Sequence, residues 1–195
     1  MKSNALRLII PVVLTCMAAA AGLSATYTIT APLIAAQDKA AEEAALKSVL
    51  PEADAFEAVD AAMLASAQEA VGDSKVSAIY RALDGNGELI GWGLKVGSRG
   101  YGGYVDMVWG LDRDGKVTDL TILTMNETPG LGTRIKTEPG FLEQYRGLPG
   151  GFTEKDVKKL DMISGATKSS RAVRNSGIAV SVVYEAVLKA AGEVR

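Results

Sequence analysis

The sequence predicts an α+β chain: an N-terminal transmembrane helix followed by a domain with an antiparallel sheet of paired hairpins covered by helices. Three observations carry this. Leu8 to Gln37 contains no charged residue. Two turn-bounded hairpin patterns follow one another between Val76 and Met125, and a 3.6-residue apolar stripe closes the chain.

Lys2 and Arg7 precede the uncharged run, Leu8 to Leu23 is nearly all apolar, and Asp38 is the first charge beyond it. About 20 such residues span the hydrocarbon core as a helix, and basic flanks stay cytoplasmic. The pattern therefore predicts a single-pass, N-in anchor in the cytoplasmic (inner) membrane, with the remainder on the periplasmic or external side. A cleaved signal peptide also fits the basic start and Ala19-Ala20-Ala21, but the uncharged stretch runs on through Tyr27, Ile29, Leu33 and Ile34. We place the anchor at residues 1–37 and a helical connecting segment at 38–73. Within the latter, Ala35 to Leu50 is rich in good helix formers and Pro51 stops it. Glu52 to Asp73 reads as a short helix with loops, or a mobile tether.

In the third region, 74–195, Val76–Leu83 and Glu88–Val96 flank the turn Asp84-Gly85-Asn86-Gly87, and Tyr104–Leu111 and Lys116–Met125 flank Asp112-Arg113-Asp114-Gly115. Leu83-Asp84-x-x-Gly87-Glu88 and Leu111-Asp112-x-x-Gly115-Lys116 echo each other. Asp112 and Asp114 hint at calcium, but the rest of an EF-hand loop is missing, so a turn is expected. Gly97 to Gly103 forms a glycine-rich connection, Phe141 to Tyr145 a short helix, and Val173, Gly177, Val180, Tyr184, Val187 and Leu188 the stripe of a closing helix.

Composition excludes much chemistry. The chain has no His and one Cys, Cys16, inside the apolar run. Zinc, haem and iron–sulfur sites lose their usual ligands, and His-dependent nucleophilic machinery is absent. No metal site is expected, and any redox chemistry must come from an organic cofactor. Charges beyond residue 37 are mixed in sign and net acidic, which excludes nucleic acid as a partner.

Two segments stand out. Asp161-Met162-Ile163-Ser164-Gly165-Ala166-Thr167 leads into the closing helix. As local physics it is a helix N-cap, with Thr167 or Ser164 accepting a backbone hydrogen bond. A helix start beside small residues is equally suited to a phosphate. Lys168, Arg171 and Arg174 crowd the first turns, where they oppose the helix dipole unless an anion offsets them. Asn126-Glu127-Thr128-Pro129-Gly130-Leu131-Gly132 ends the fourth strand as a turn, with Pro129 presetting φ and the glycines permitting positive φ or close approach.

Asp-x-x-Ser-Gly-Ala-Thr resembles the flavinylation motif of the FMN-binding subunits of two related respiratory complexes. These are the G subunit of the Rnf electron-transport complex and the C subunit of the sodium-pumping NADH:quinone reductase. Glu-Thr-Pro-Gly-Leu-Gly is similar to the segment that this family places against the flavin. The family often has a His upstream of that Glu, where Met125 and Asn126 stand here. The resemblance extends from the basic tip to the closing helix and favours the Rnf G subunit, the C subunit being usually longer. It implies that 74–195 is an FMN-binding domain, with FMN held through a covalent phosphoester on Thr167. It implies cofactor contacts at Ser164, Gly165, Ala166, Glu127, Thr128, Pro129, Gly130, Leu131 and Gly132, with the glycine-rich loop near the flavin. It further implies a relay of electrons in an ion-translocating ferredoxin:NAD oxidoreductase. The partners would be the other integral-membrane and redox subunits, and a flavin transferase for maturation. No stand-alone catalysis and no catalytic residue are expected. A non-flavinylated structural module of such a complex is the alternative of a different class.

Overall fold

The computed structural model describes residues 2–190, with side chains from residue 8 onward, and it has the α+β architecture that the sequence predicts. Helix α1 spans Lys2–Val49. The chain divides into two compact units, the first ending at Ala41 and the second beginning at Glu42.

In the first unit, α1 is long and apolar enough from Leu8 onward to cross a membrane, and Leu8, Val12, Leu14, Met17, Leu23 and Ile29 are all exposed. Its hydroxyls turn inward on the helix itself. Thr15 donates to Pro11 O (2.8 Å), Thr26 to Gly22 O (2.9 Å), Thr28 to Ser24 O (2.9 Å) and Thr30 to Thr26 O (3.0 Å). A hydroxyl satisfied one turn back needs no water, which is the condition hydrocarbon imposes.

The second unit is built on a meander. Strands β1 (Ala55–Ala58), β2 (Lys75–Leu83), β3 (Leu89–Arg99), β4 (Tyr104–Asp112) and β5 (Val117–Met125) lie in the order β1-β2-β3-β4-β5, each antiparallel to its neighbour. The two hairpin turns are near copies. Asp84 Oδ1 accepts from Asn86 N and Glu88 N at 2.9 and 2.8 Å, and Asp112 Oδ1 from Asp114 N and Lys116 N at 3.0 and 2.8 Å. This side-chain mimicry of a turn explains why the Asp-x-x-Gly echo recurs.

Two findings depart from the sequence reading. Residues 52–73 hold a strand, β1, before helix α2 (Ala61–Ala70), where a short helix with loops was expected. And the sheet is covered on both faces. On one, Trp92, Leu94, Val96, Met107, Trp109 and Ile122 pack against α2 and α5 (Thr167–Val183), whose last turn widens into a π-turn at Tyr184–Leu188. The helix lies close because it presents small residues: Gly177 stacks over Trp109, and Ser176 accepts from the Trp109 indole N–H at 3.2 Å.

On the other face the last turns of α1 supply Ala45, Leu46 and Val49, which bury with Leu50, Ala53, Ala82 and Val108. Sheet glycines make the room, since a β-carbon at Gly93 would run into Leu46 and one at Gly110 into Val49. Glu42 fastens the helix, accepting from the Tyr80 hydroxyl at 2.5 Å and pairing with Lys95. Coverage on both sides is why β3 and β4 are buried almost residue by residue instead of alternating. Short helices α3 (Arg134–Thr137) and α4 (Glu154–Val157), with a 3₁₀ turn at Glu143–Tyr145, fill the connection from β5 to α5.

Candidate functional site

Helix α5 starts without a side-chain cap. Ala166 (φ −117°, ψ 31°) stands at the cap position, and Thr167 is the first helical residue with its side chain exposed. The capping role that local physics offers to Thr167 or Ser164 is therefore not taken up. Ser170 N begins the ladder, bonding Ala166 O at 2.8 Å, so the amides of Thr167, Lys168 and Ser169 lie ahead of it, where a helix favours an anion. The preceding turn is over-determined. Gln144 pairs with both backbone groups of Asp161, accepting from its N–H at 2.7 Å and donating to its carbonyl at 3.1 Å. Arg134 donates to Ser164 O at 3.1 Å, and Ser170 Oγ accepts from Ile163 N at 3.2 Å. Gly165 has φ 82°, a conformation costly for any other residue.

Glu127 ties three segments together. Its carboxylate is buried; Oε1 accepts from Tyr101 N (2.9 Å) and Gly102 N (3.1 Å), and Oε2 from the Ser169 hydroxyl (2.5 Å). The glycine-rich loop, the turn after β5 and the first turn of α5 are thus held by one side chain. That loop is shorter than the sequence suggests: β3 continues to Arg99, and Ser98 is buried with its hydroxyl 2.7 Å from that of Ser74.

Between these segments lies a cavity of about 490 Å³, lined by Glu127, Thr128, Leu131, Gly132, Gly165, Ala166 and Thr167 together with Tyr101, Lys168 and Ser169. Seven of the residues singled out by sequence come together here, from two segments far apart in the chain. Three do not line it: Pro129 and Gly130 form the exposed outer side of their turn, and Ser164 lines the neighbouring cleft with Arg134 and Gln144. The size is typical of a cofactor pocket. Tyr101 and Leu131 offer apolar surface, and Lys168 with the leading amides of α5 offers an anion site. The carboxylate of Glu127 is already engaged by three donors. These residues fit a flavin mononucleotide, which needs apolar surface for its ring and an anion site for its phosphate.

The supporting residues Arg134, Gln144 and Ser169 were not found by sequence reasoning. Each acts across 30, 17 or 42 positions, and through a backbone group or a lone carboxylate, so no local spacing marks it. No cluster of His, Cys, Asp and Glu suited to a metal occurs among the described residues.

Residues 100–177, which include every residue lining this cavity, match the FMN-binding domain family. The chain is 33% identical over 183 residues to the G subunit of the Na(+)-translocating ferredoxin:NAD(+) oxidoreductase complex of Acetobacterium woodii, covering 88% of this chain and 87% of that one. It is 32% identical over 171 residues to the G subunit of the ion-translocating oxidoreductase complex of Methanosarcina acetivorans, covering 86% and 87%. It is 27% identical over 165 residues to the G subunit of the proton-translocating ferredoxin:NAD(+) oxidoreductase complex of Clostridium ljungdahlii, covering 82% and 80%. On this near full-length similarity, the chain belongs to the family of G subunits of ion-translocating oxidoreductase complexes and carries its FMN-binding domain.

Proposed function

We propose that this chain is a membrane-anchored electron relay of an Rnf-type ion-translocating ferredoxin:NAD oxidoreductase, with FMN joined to Thr167 by a phosphoester. FMN supplies one- and two-electron exchange with neighbouring redox groups. The chain's own task is to hold it. A covalent tether keeps the relay at constant distance from its neighbours and prevents its loss from the outer compartment. Amides of α5 and the Lys168 ammonium neutralise the phosphodiester, while Leu131 and Tyr101 exclude water from the ring. No residue of the site is required to move a proton. Maturation depends on a separate flavin transferase, and the other subunits of the complex are the electron donors and acceptors.

The observation that carries the reading is the position of Thr167. Thr167 is exposed, is not a helix cap, lines the cavity, and is the first residue of a 17-residue helix. The nearby hydroxyls of Ser169 and Ser170 are buried and hydrogen-bonded. Thr128, exposed on the same cavity, is the competitor.

Intact-mass measurement on chain co-expressed with the transferase tests the assignment. The wild-type chain and Thr128→Ala gain the mass of FMN less one water, and Thr167→Ala does not. Thr167→Ala folds as before, since an exposed residue making no cap changes stability by about 0.5 kcal/mol or less. Retention of the increment in Thr167→Ala, or its loss in Thr128→Ala instead, moves the attachment point and refutes the reading.

A further inference from the structure

The exposed arginines of the described residues divide into two pairs. Arg113 meets Glu88 at 3.6 Å and Arg146 meets Asp119 at 2.8 Å. Arg99 and Arg171 meet no carboxylate and make no side-chain hydrogen bond among the described residues. Both of these flank the cavity that holds Thr167. Arg99 ends β3, two residues before Tyr101 in the cavity lining. Arg171 stands one turn of α5 beyond Thr167 and Lys168, on the same face of the helix.

Tyr104 is the strand partner of Arg99, so the two share a face of the β3–β4 hairpin. It is 46% exposed and lies outside the cavity lining. Nearby carboxylates do not balance the two arginines. Glu127 is buried and engaged by three donors, Asp106 accepts from the Thr124 hydroxyl at 2.8 Å, and Asp161 lines the neighbouring cleft. A phosphodiester on Thr167 carries one negative charge, which Lys168 and the leading amides of α5 answer. The chain beyond residue 37 is net acidic, yet beside its cofactor cavity it leaves cationic charge over. Arginine with tyrosine is the composition that protein interfaces favour, and charge at an interface rim steers a partner of opposite sign.

We infer that Arg99, Tyr104 and Arg171 form the landing surface for a redox protein that presents an acidic face around its own electron-transfer centre. This rests on the attachment of FMN at Thr167. In the encounter one electron passes between the flavin and that centre, and no bond forms or breaks. The phosphate of FMN is the other anion able to claim the two arginines, and the experiment separates the two.

Full-length chains in neutral detergent are loaded by the transferase, checked by intact mass for one FMN, reduced with dithionite and freed of excess reagent. Stopped-flow absorbance then follows flavin oxidation by an acidic blue-copper protein and, separately, by a basic c-type cytochrome. Each acceptor takes one electron; two equivalents restore the oxidised flavin, and its protons pass to water. The wild-type rate with the copper protein falls as salt rises from about 0.05 to 1 M, and the rate with the cytochrome does not. Arg99→Glu and Arg171→Glu each slow the copper protein several-fold at low salt and speed the cytochrome, and the differences vanish near 1 M salt, where screening acts within about 3 Å. The Gln variants fall between. Tyr104→Ala slows the copper protein at every salt concentration and keeps the wild-type slope. Lys189→Glu makes the same charge change just past the π-turn that ends α5, about 30 Å along the helix from Thr167, and alters neither rate.

A copper-protein rate that does not fall with salt overturns the inference, as do reversals at Arg99 and Arg171 that match the wild type or Lys189→Glu. Reversals that fold but take up no FMN assign the arginines to the phosphate and overturn it too. Wild-type rates in Tyr104→Ala remove Tyr104 from the surface. Failure of the attachment reading shows earlier, as no mass increment on the wild-type chain or its survival in Thr167→Ala.

Discussion

At Gly132 a β-carbon would lie 2.6 Å from Glu127 Oε2 and 2.8 Å from Ser169 Oγ, while at Gly130 it would meet nothing within 4 Å, although φ there is 72°. Two glycines of one turn therefore serve different ends. Gly130→Ala places a side chain in the left-handed region and costs about 1–2 kcal/mol. Because it lies outside the cavity, the flavin spectrum should not change. Gly132→Ala forces the carboxylate or the helix start aside at about 1–3 kcal/mol, the range for overpacking, and should shift the spectrum too. Denaturant titration followed by the buried Trp92 and Trp109, with flavin absorbance recorded in parallel, distinguishes these outcomes. The sequence marks both glycines, as members of Pro-Gly-Leu-Gly, yet does not separate their roles. Glu127 is named by the same pattern, but its engagement with Tyr101, Gly102 and Ser169 depends on segments that meet only in the folded chain.

Among the elements, β2 to β5 lie within a few residues of where turn chemistry and β-propensity put them, because each hairpin is a local event. Strand β1 is four residues, Ala-Phe-Glu-Ala, with no apolar alternation; it exists because it pairs with the outer edge of β2. The cover on the second face was equally hidden. Ala35 to Leu50 reads as helix, but which sheet face Leu46 and Val49 meet is not a property of their spacing. The glycines at 91, 93 and 110 are its trace in the sheet, legible only once the register is known. Leu46, 2% exposed, anchors this contact. Leu46→Ala should destabilise the second unit by about 2–5 kcal/mol, measured by chemical denaturation of detergent-solubilised chain. An effect below about 1 kcal/mol would mean that the helix end contributes little to the core.

For the molecule as a whole, alkaline pH probes both faces of the sheet. Burial pushes the Tyr145 phenol up to about 12, against a neighbouring Arg174 that pulls it down. Tyr80 is raised still further by burial and by its hydrogen bond to Glu42. Folded pKa values above the unfolded value of 10.0 mean that the native state holds these protons more tightly. The stability so contributed is fully present below pH 10 and is lost as pH rises from there through the folded values. Thermal midpoints should fall over pH 10 to 12, and Tyr145→Phe should flatten that fall; a slope unchanged in the variant would remove Tyr145 from the account. Topology is tested at the same scale. With Lys2 and Arg7 inside, protease added to the outer face of sealed vesicles should digest chain beyond Glu42. Digestion only from the cytoplasmic face would reverse the orientation.

The seat of α1 on the sheet governs where a water-soluble fragment can begin. Cleavage just ahead of Glu42 removes the exposed apolar length of α1 but leaves Ala45, Leu46 and Val49 in place over their glycines. Cleavage after Val49 would strip that cover from Ala82 and Val108 and lay the backbone at Gly91, Gly93 and Gly110 open to water. The shorter fragment should therefore aggregate through its uncovered sheet, while the one that keeps Glu42–Val49 should stay monomeric in solution.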